Sequence, residues 1–303
     1  MLMKILIILI FFMLSVGFYT LLEQKILGYM NNRLGPNKIL MMGLIQFLMD
    51  FIKLLFKDNI YLLMFNYLNY YLFIYLFFSL SFLLWIFIPM IINLINFKFM
   101  IISLMILLVN KILVFILMIW SLNSIYSILS LIRLLIQNLS FEILFMMMIF
   151  YIVILIKNFN LIMIFNLNNN INMIFFMSFL IFYIWMLIIL VELNRIPFDF
   201  LESESELISG LNLEFSSINF MILFLIEYLD IIFMMILTLI IFFNLNLMNY
   251  LFNFILIIML IMVLVFRGFL VRYRIDKLLI LLWKFFFPLL MNYLIFMMFL
   301  KMF

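Results

Sequence analysis

Between Val191 and Glu214 the chain reads VELNRIPFDFLESESELISGLNLE, which sets Arg195 among Glu192, Asp199, Glu202, Glu204, Glu206 and Glu214. Like charges oppose one another's ionisation, so carboxylates this crowded can hold and pass protons near neutral pH. Pro197 and Gly210 interrupt helix and make the segment a structured loop. A plain solvated acidic loop is the competing reading; metal binding is weaker, because no calcium-loop spacing is present. Other ionisable residues stand in or beside apolar runs, where charge is costly and functional by default. Glu227 and Asp230 share a helix face beside Tyr228, Glu142 opens one run, Glu192 closes another, and Lys111 and Lys284 lie within two more. Together they read as a buried proton relay, with interhelical ion pairs or snorkelling lysines as the alternative.

Two further segments carry polar groups in a pattern. From Gly43 to Asp58 (GLIQFLMDFIKLLFKD), Gln46, Asp50, Lys53 and Lys57 fall on one helical stripe of an otherwise apolar circumference. Such a helix suits the membrane interface, either as an anchor or as a doorway for an amphiphilic ligand. From Arg267 to Lys277 (RGFLVRYRIDK) the chain is basic, which serves as a topology signal. A docking role for Arg272, Arg274 and Asp276 is also open.

Helices in a bilayer must position these groups. The 303 residues are 72% hydrophobic and 10% charged, with a mean hydropathy of +1.45, against about 25% charged in soluble domains. Apolar runs long enough for a hydrocarbon core of about 30 Å predict spans near 2–22, 69–90, 99–119, 143–165, 171–191, 218–243, 248–266 and 279–300. The expectation is a single all-α transmembrane domain over 1–303: a polytopic bundle of about eight spans, an interfacial helix at 43–58 and an acidic loop at 192–217. An even number of spans puts both termini on one side. Lys25, Arg33, Lys38, Lys53, Lys57, Arg133, Arg195, Arg267, Arg272, Arg274 and Lys277 then fall in the odd loops, against Lys4, Lys98, Lys157 and Lys301 opposite. By the positive-inside rule the odd loops face the compartment of synthesis. The acids gather on that side too, which the rule does not demand, and this points to a polar partner or cavity there.

Absences narrow the chemistry. With no His and no Cys, the usual ligands of haem, copper, zinc and iron–sulfur clusters are missing, so a redox centre would belong to another chain. Ala is absent, Gly and Pro are scarce, and Phe, Ile, Leu, Met, Asn and Tyr dominate. Small residues normally help membrane helices pack, so this palette reflects AT-rich codons and suggests an organellar genome. The first apolar stretch is span-length without a small-residue cleavage site and reads as a first span rather than a signal peptide.

Four segments carry a resemblance: EQKILGYMNNRLGPN (Glu23 to Asn37) continuing through the amphipathic helix, WSLNSIYSILSLIRLLIQNLSFE (Trp120 to Glu142), ELNRIPFDFLESESELISGLNLEFS (Glu192 to Ser216) and RYRIDKLLILLWKFFFPL (Arg272 to Leu290). In order and spacing the chain resembles the chain 1 family of NADH-ubiquinone oxidoreductase, the quinone-site membrane subunits of respiratory complex I. The resemblance implies a multi-pass protein of the mitochondrial inner membrane with its odd loops in the matrix and both termini on the intermembrane-space side. It implies ubiquinone as substrate of a proton-translocating NADH:ubiquinone reductase, with no metal, haem, flavin or iron–sulfur cluster bound by this chain. Membrane lipid, neighbouring membrane-arm subunits and the peripheral-arm subunits that complete the quinone tunnel are the implied partners; nucleic acid is not. Carried over by motif, Lys25, Arg33, Asp50, Lys53, Arg195, Phe198 and Asp199 belong to the quinone site. Glu142, Glu192, Glu202, Glu204, Glu206, Glu214 and Glu227 belong to the proton relay, with Arg195 as the cation that orders it, and Arg272, Arg274 and Asp276 to docking.

The chain departs from the family pattern in places. Glu-Arg-Lys at the end of the first span is Glu23-Gln24-Lys25, leaving Lys25 or Arg33 to cover for the missing cation. Ser203 replaces Gly, Asp230 stands where Asn is common, and Val271, Ile275 and Lys277 replace Pro, Tyr and Gln. Asp230 adds either a titratable group or an ion pair. The rival classes are a transporter or channel subunit without a quinone site, and a structural anchor for the peripheral arm. Cytochrome b would need His for its haems.

Overall fold

Hydrocarbon offers no water to the backbone, so spanning segments satisfy their N–H and C=O groups internally, as helices. The computed structural model describes residues 2–38, 43–58, 66–88, 98–156, 158–160, 179–200, 215–243 and 250–302, and among them there are helices and no strand. In order these are α1 (Leu2–Met30), α2 (Gln46–Phe56), α3 (Tyr67–Trp85), α4 (Met100–Trp120), α5 (Ile125–Ile156), α6 (Phe179–Glu192) and α7 (Ser217–Thr238), which a π-helical turn, Leu239–Phe243, prolongs. Then follow α8 (Tyr250–Phe269), α9 (Ile275–Ile280), a second π-helical stretch (Leu281–Phe286) and α10 (Phe287–Met302). The fold is an all-α polytopic membrane bundle. Among the described residues seven helical stretches are long and apolar enough to cross a membrane, and α6 is a shorter apolar helix. The start of the run read as 171–191 lies outside the described residues.

Helix α5 begins well before the apolar run at 143–165. Ser124 and Ser127 cap it reciprocally: the Ser124 N–H donates to the Ser127 hydroxyl oxygen at 3.2 Å, and the Ser127 N–H to that of Ser124 at 3.1 Å. The serines that follow turn inward on their own backbone, Ser130 donating to the Ser127 carbonyl and Ser140 to the Gln137 carbonyl, each at 2.7 Å. The polar stretch therefore continues as helix, and Glu142 sits within α5 rather than at its opening.

The π-helical stretch Leu281–Phe286 precedes Pro288, whose missing N–H interrupts the regular ladder and favours such a local rewinding. It places Lys284 on the exposed outer face.

Helix α7 is the axis of the bundle, packed against α1, α2, α3 and α8. It is buried along most of its length, and Phe233 and Phe242 are 1% exposed. On its far end, Phe145, Trp185 and Phe242 form a chain of rings with centroids 5.3 Å and 5.8 Å apart. Helix α2 lies across α1 and α7 with Phe47 buried. Its ring is so close to Gly17 of α1 that a Cβ there would meet it at 2.3 Å, so only glycine admits this crossing. Asp50 and Lys53 point outward.

Candidate functional site

The sequence places Arg195 just past the end of α6, and the structure makes it a hub. Its guanidinium lies 3.7 Å from a carboxylate oxygen of Glu23 on α1 and 3.7 Å from one of Glu227 on α7. The same guanidinium sits over the Tyr228 ring at 4.9 Å from the centroid. Tyr228 in turn meets Tyr19 of α1 edge-on at 5.7 Å. Glu23 is 4% exposed and takes a second cation, Arg267, from the end of α8. Three elements distant in sequence are thus tied through one acid.

Beside this hub the bundle opens into a cavity of about 100 Å³, room for several waters. Lys111, Asn138, Glu192, Arg195, Asp199, Glu227, Asp230 and Arg267 supply its polar lining, between apolar walls from α3, α4 and α7. The acids of the hub and of the cavity are mostly paired: Asp230 with Lys111, Glu23 with Arg267 and Arg195, Glu227 with Arg195, and Asp199 with Arg272 at 3.6 Å. Among the described residues no cation lies within ion-pair distance of Glu192.

The turn after α6 is fixed from two sides. The Gln137 side-chain amide of α5 donates to the Val191 carbonyl at 2.9 Å and to the Phe198 carbonyl at 3.4 Å. The Tyr273 N–H donates to the Pro197 carbonyl at 2.9 Å, and the Tyr273 ring lies 5.7 Å from that of Phe198. The last polar loop thus closes over the Arg195 turn, which is where the Arg272–Asp199 pair forms.

A sequence profile of the NADH dehydrogenase family matches residues 3–298. The chain belongs to the NADH dehydrogenase family. It is 38% identical to the NADH-ubiquinone oxidoreductase chain 1 of Anopheles gambiae over 96% of this chain and 92% of that one. With that of Aedes aegypti it shares 39% over 96% and 93% of the two chains, and with that of Apis mellifera ligustica 36% over 100% and 98%.

Within this NADH dehydrogenase family chain, the expected site residues separate into groups. Glu192, Arg195, Asp199 and Glu227 meet at one cavity, and Phe198 packs beside it, 3% exposed, against Tyr273. Glu142 is half-buried on α5 and is not among the cavity's lining residues. Asp50, Lys53 and Arg33 are exposed and Lys25 half-buried, and none of the four lines the cavity. Arg274 and Asp276 are exposed, while Arg272 is half-buried against Asp199. Glu202, Glu204, Glu206 and Glu214 lie outside the described residues. Glu23, Tyr19, Gln137 and Arg267 had not been singled out as site residues. Only their position at polar–apolar borders marked them; which helix each would meet was not written in local spacing.

Two departures are resolved by contact. Asp230 forms an ion pair with Lys111. At the end of α1, Gln24 is exposed and its neighbour Glu23 is served by Arg267 and Arg195; neither Lys25 nor Arg33 is among the ion pairs of the described residues.

Proposed function

We propose that this chain is a core membrane subunit of the NADH:ubiquinone oxidoreductase of the mitochondrial inner membrane, where it forms the membrane-side wall of the quinone tunnel and carries protons through its polar cavity. The observation that carries the proposal is the cavity of linked charges inside an apolar bundle: buried ionisable groups at this density are costly and mark a functional path. Glu192 is the acid free to exchange a proton, because Glu23, Glu227, Asp230 and Asp199 are each tied to a guanidinium or ammonium group. Arg195 orders the path by joining the acids of α1 and α7. Glu202, Glu204, Glu206 and Glu214 belong to the mouth of the same path, and Glu142 to its continuation along α5.

An open apolar groove of about 450 Å³ between α1, α2 and α7, lined by Ile10, Met13, Phe47, Phe51, Met221 and Leu225 among others, supports the quinone part of the reading. It has the size of a small-molecule site, and its wholly apolar side chains suit an isoprenoid tail. Lys25, Arg33, Asp50, Lys53 and Phe198 then flank the tunnel. Arg272, Arg274 and Asp276 mark the face toward the peripheral-arm subunits, with the odd loops in the matrix.

Photolabelling the intact complex with a ubiquinone analogue tests this. Label in α1, α2 or α7, competed away by ubiquinone, is expected. Label confined to other chains, or no competition, would leave the transporter-like or anchoring alternatives in its place.

A further inference from the structure

Lys111 of α4 and Asp230 of α7 meet in an ion pair although α3 packs against both helices. The side chains are 9% and 20% exposed, and the ammonium also lies 5.2 Å from the centroid of the Phe77 ring. Withdrawing two ions from water costs several kcal/mol each, and an apolar pair of similar volume commonly holds helices as well or better. A helix tie alone therefore does not account for the pair. Its location does: both residues line the cavity that Glu192 lines. Lys284, the other lysine of an apolar run, is exposed.

We propose that Lys111 is a positioning cation shared between Asp230 and Glu192, so that the pair extends the polar path onto α4 and answers the charge state of Glu192. The lysine stem is flexible and its ammonium a rotatable point charge, which lets it leave Asp230 when Glu192 is anionic and return when Glu192 is protonated. Five other charged groups act on the same region: Glu142 from α5, Arg195 and Asp199 from the turn after α6, Glu227 from α7 and Arg267 from α8. This inference rests on the reading of Glu192 as the proton-exchanging acid.

The test compares assembled complex carrying Lys111→Met, Asp230→Asn, both together, Lys111→Arg, or Glu192→Gln. Lys111→Met and Asp230→Asn alone each leave an uncompensated buried ion and are expected to lower assembly or turnover. The double substitution is expected to restore assembly but not function. Its pH profile of quinone reduction should be displaced toward higher pH, by at most about one unit because the loss of the Asp230 charge offsets part of the loss of the Lys111 charge, with fewer protons moved per NADH oxidised. Lys111→Arg keeps the tie and the charge on a stiffer fork, and is expected to assemble normally with a near-native pH profile but lowered turnover and proton yield, because a fork held on Asp230 moves less readily toward Glu192. A native profile and native proton yield in the double variant, or native turnover and native proton yield in Lys111→Arg should the double fail to assemble, would overturn the inference. Glu192→Gln separates the two levels: if it too is native, the reading of Glu192 itself fails; if it is impaired while the pair variants are native, only the role of Lys111 fails.

Discussion

Arg195 is held by two acids from two helices and by the face of Tyr228, so its charge and its planar shape both matter. Arg195→Met removes one of Glu23's two cations and the sole guanidinium within ion-pair distance of Glu227 among the described residues. Removing one partner of a buried pair costs about 3–5 kcal/mol, an upper bound here because Glu23 keeps Arg267 and the Glu227 side chain is 45% exposed. We expect sharply reduced assembled complex on native gels. Arg195→Lys keeps a charge without the fork or the stacking and should assemble yet turn over slowly. Glu192→Gln differs in kind. No ion pair is lost, so assembly should be native, while NADH:quinone turnover falls about 10²-fold, the low end for losing a positioned proton-transfer group. Native turnover with native proton pumping would remove Glu192 from the path. At this scale the sequence was informative about residue type and silent about partners. Glu192, Arg195 and Glu227 stand out because ionisable groups beside or within apolar runs are expensive. That Glu23 would meet Arg267 depends on α1 packing against α8, which no local spacing encodes.

Among the elements, α2 and α1 are coupled by one steric fit. Gly17 leaves the room that the Phe47 ring occupies, and this crossing shapes the apolar groove. Gly17→Ala would overpack the contact, at about 1–3 kcal/mol, and tilt α2 away from α1. The expected result is a raised KM for quinone with little loss of assembled complex, and partial rescue by Gly17→Ala combined with Phe47→Leu. A KM unchanged in the single variant would separate the groove from quinone binding. The amphipathic stripe of α2 was legible because Asp50 and Lys53 recur at helical spacing. The early start of α5 was not. Its serines resemble a loop by composition, and only their reciprocal bonds at Ser124 and Ser127 and their inward bonds farther along turn that stretch into helix. The π-helical stretch before Pro288 was not anticipated, because the apolar run at 279–300 reads as one regular span despite its proline.

For the whole molecule, the bundle presents two kinds of surface. Apolar side chains such as Ile10, Phe11, Leu72, Phe150, Phe254 and Phe299 are exposed along the outer helices, as lipid-facing positions must be. The loop after α8 presents Arg274, Asp276 and Lys277, also exposed, although its inner edge is fastened by Arg272–Asp199 and by the Tyr273 N–H to Pro197. Exposed outside and pinned inside, this loop is polar where the outer helices are apolar. If the odd loops face the matrix and the peripheral arm covers them, trypsin should reach Arg274 and Lys277 only under one combination of conditions. In inside-out inner-membrane vesicles with the complex intact, these bonds should be protected. In the same vesicles stripped of the peripheral arm, cleavage should appear there. In right-side-out vesicles the site should resist trypsin in either state, because the membrane itself separates enzyme from loop. Cleavage from the intermembrane-space side would reverse the topology drawn from the Lys/Arg distribution, and cleavage in the intact complex from the matrix side would remove the docking role of Arg274 and Asp276 while leaving the orientation standing.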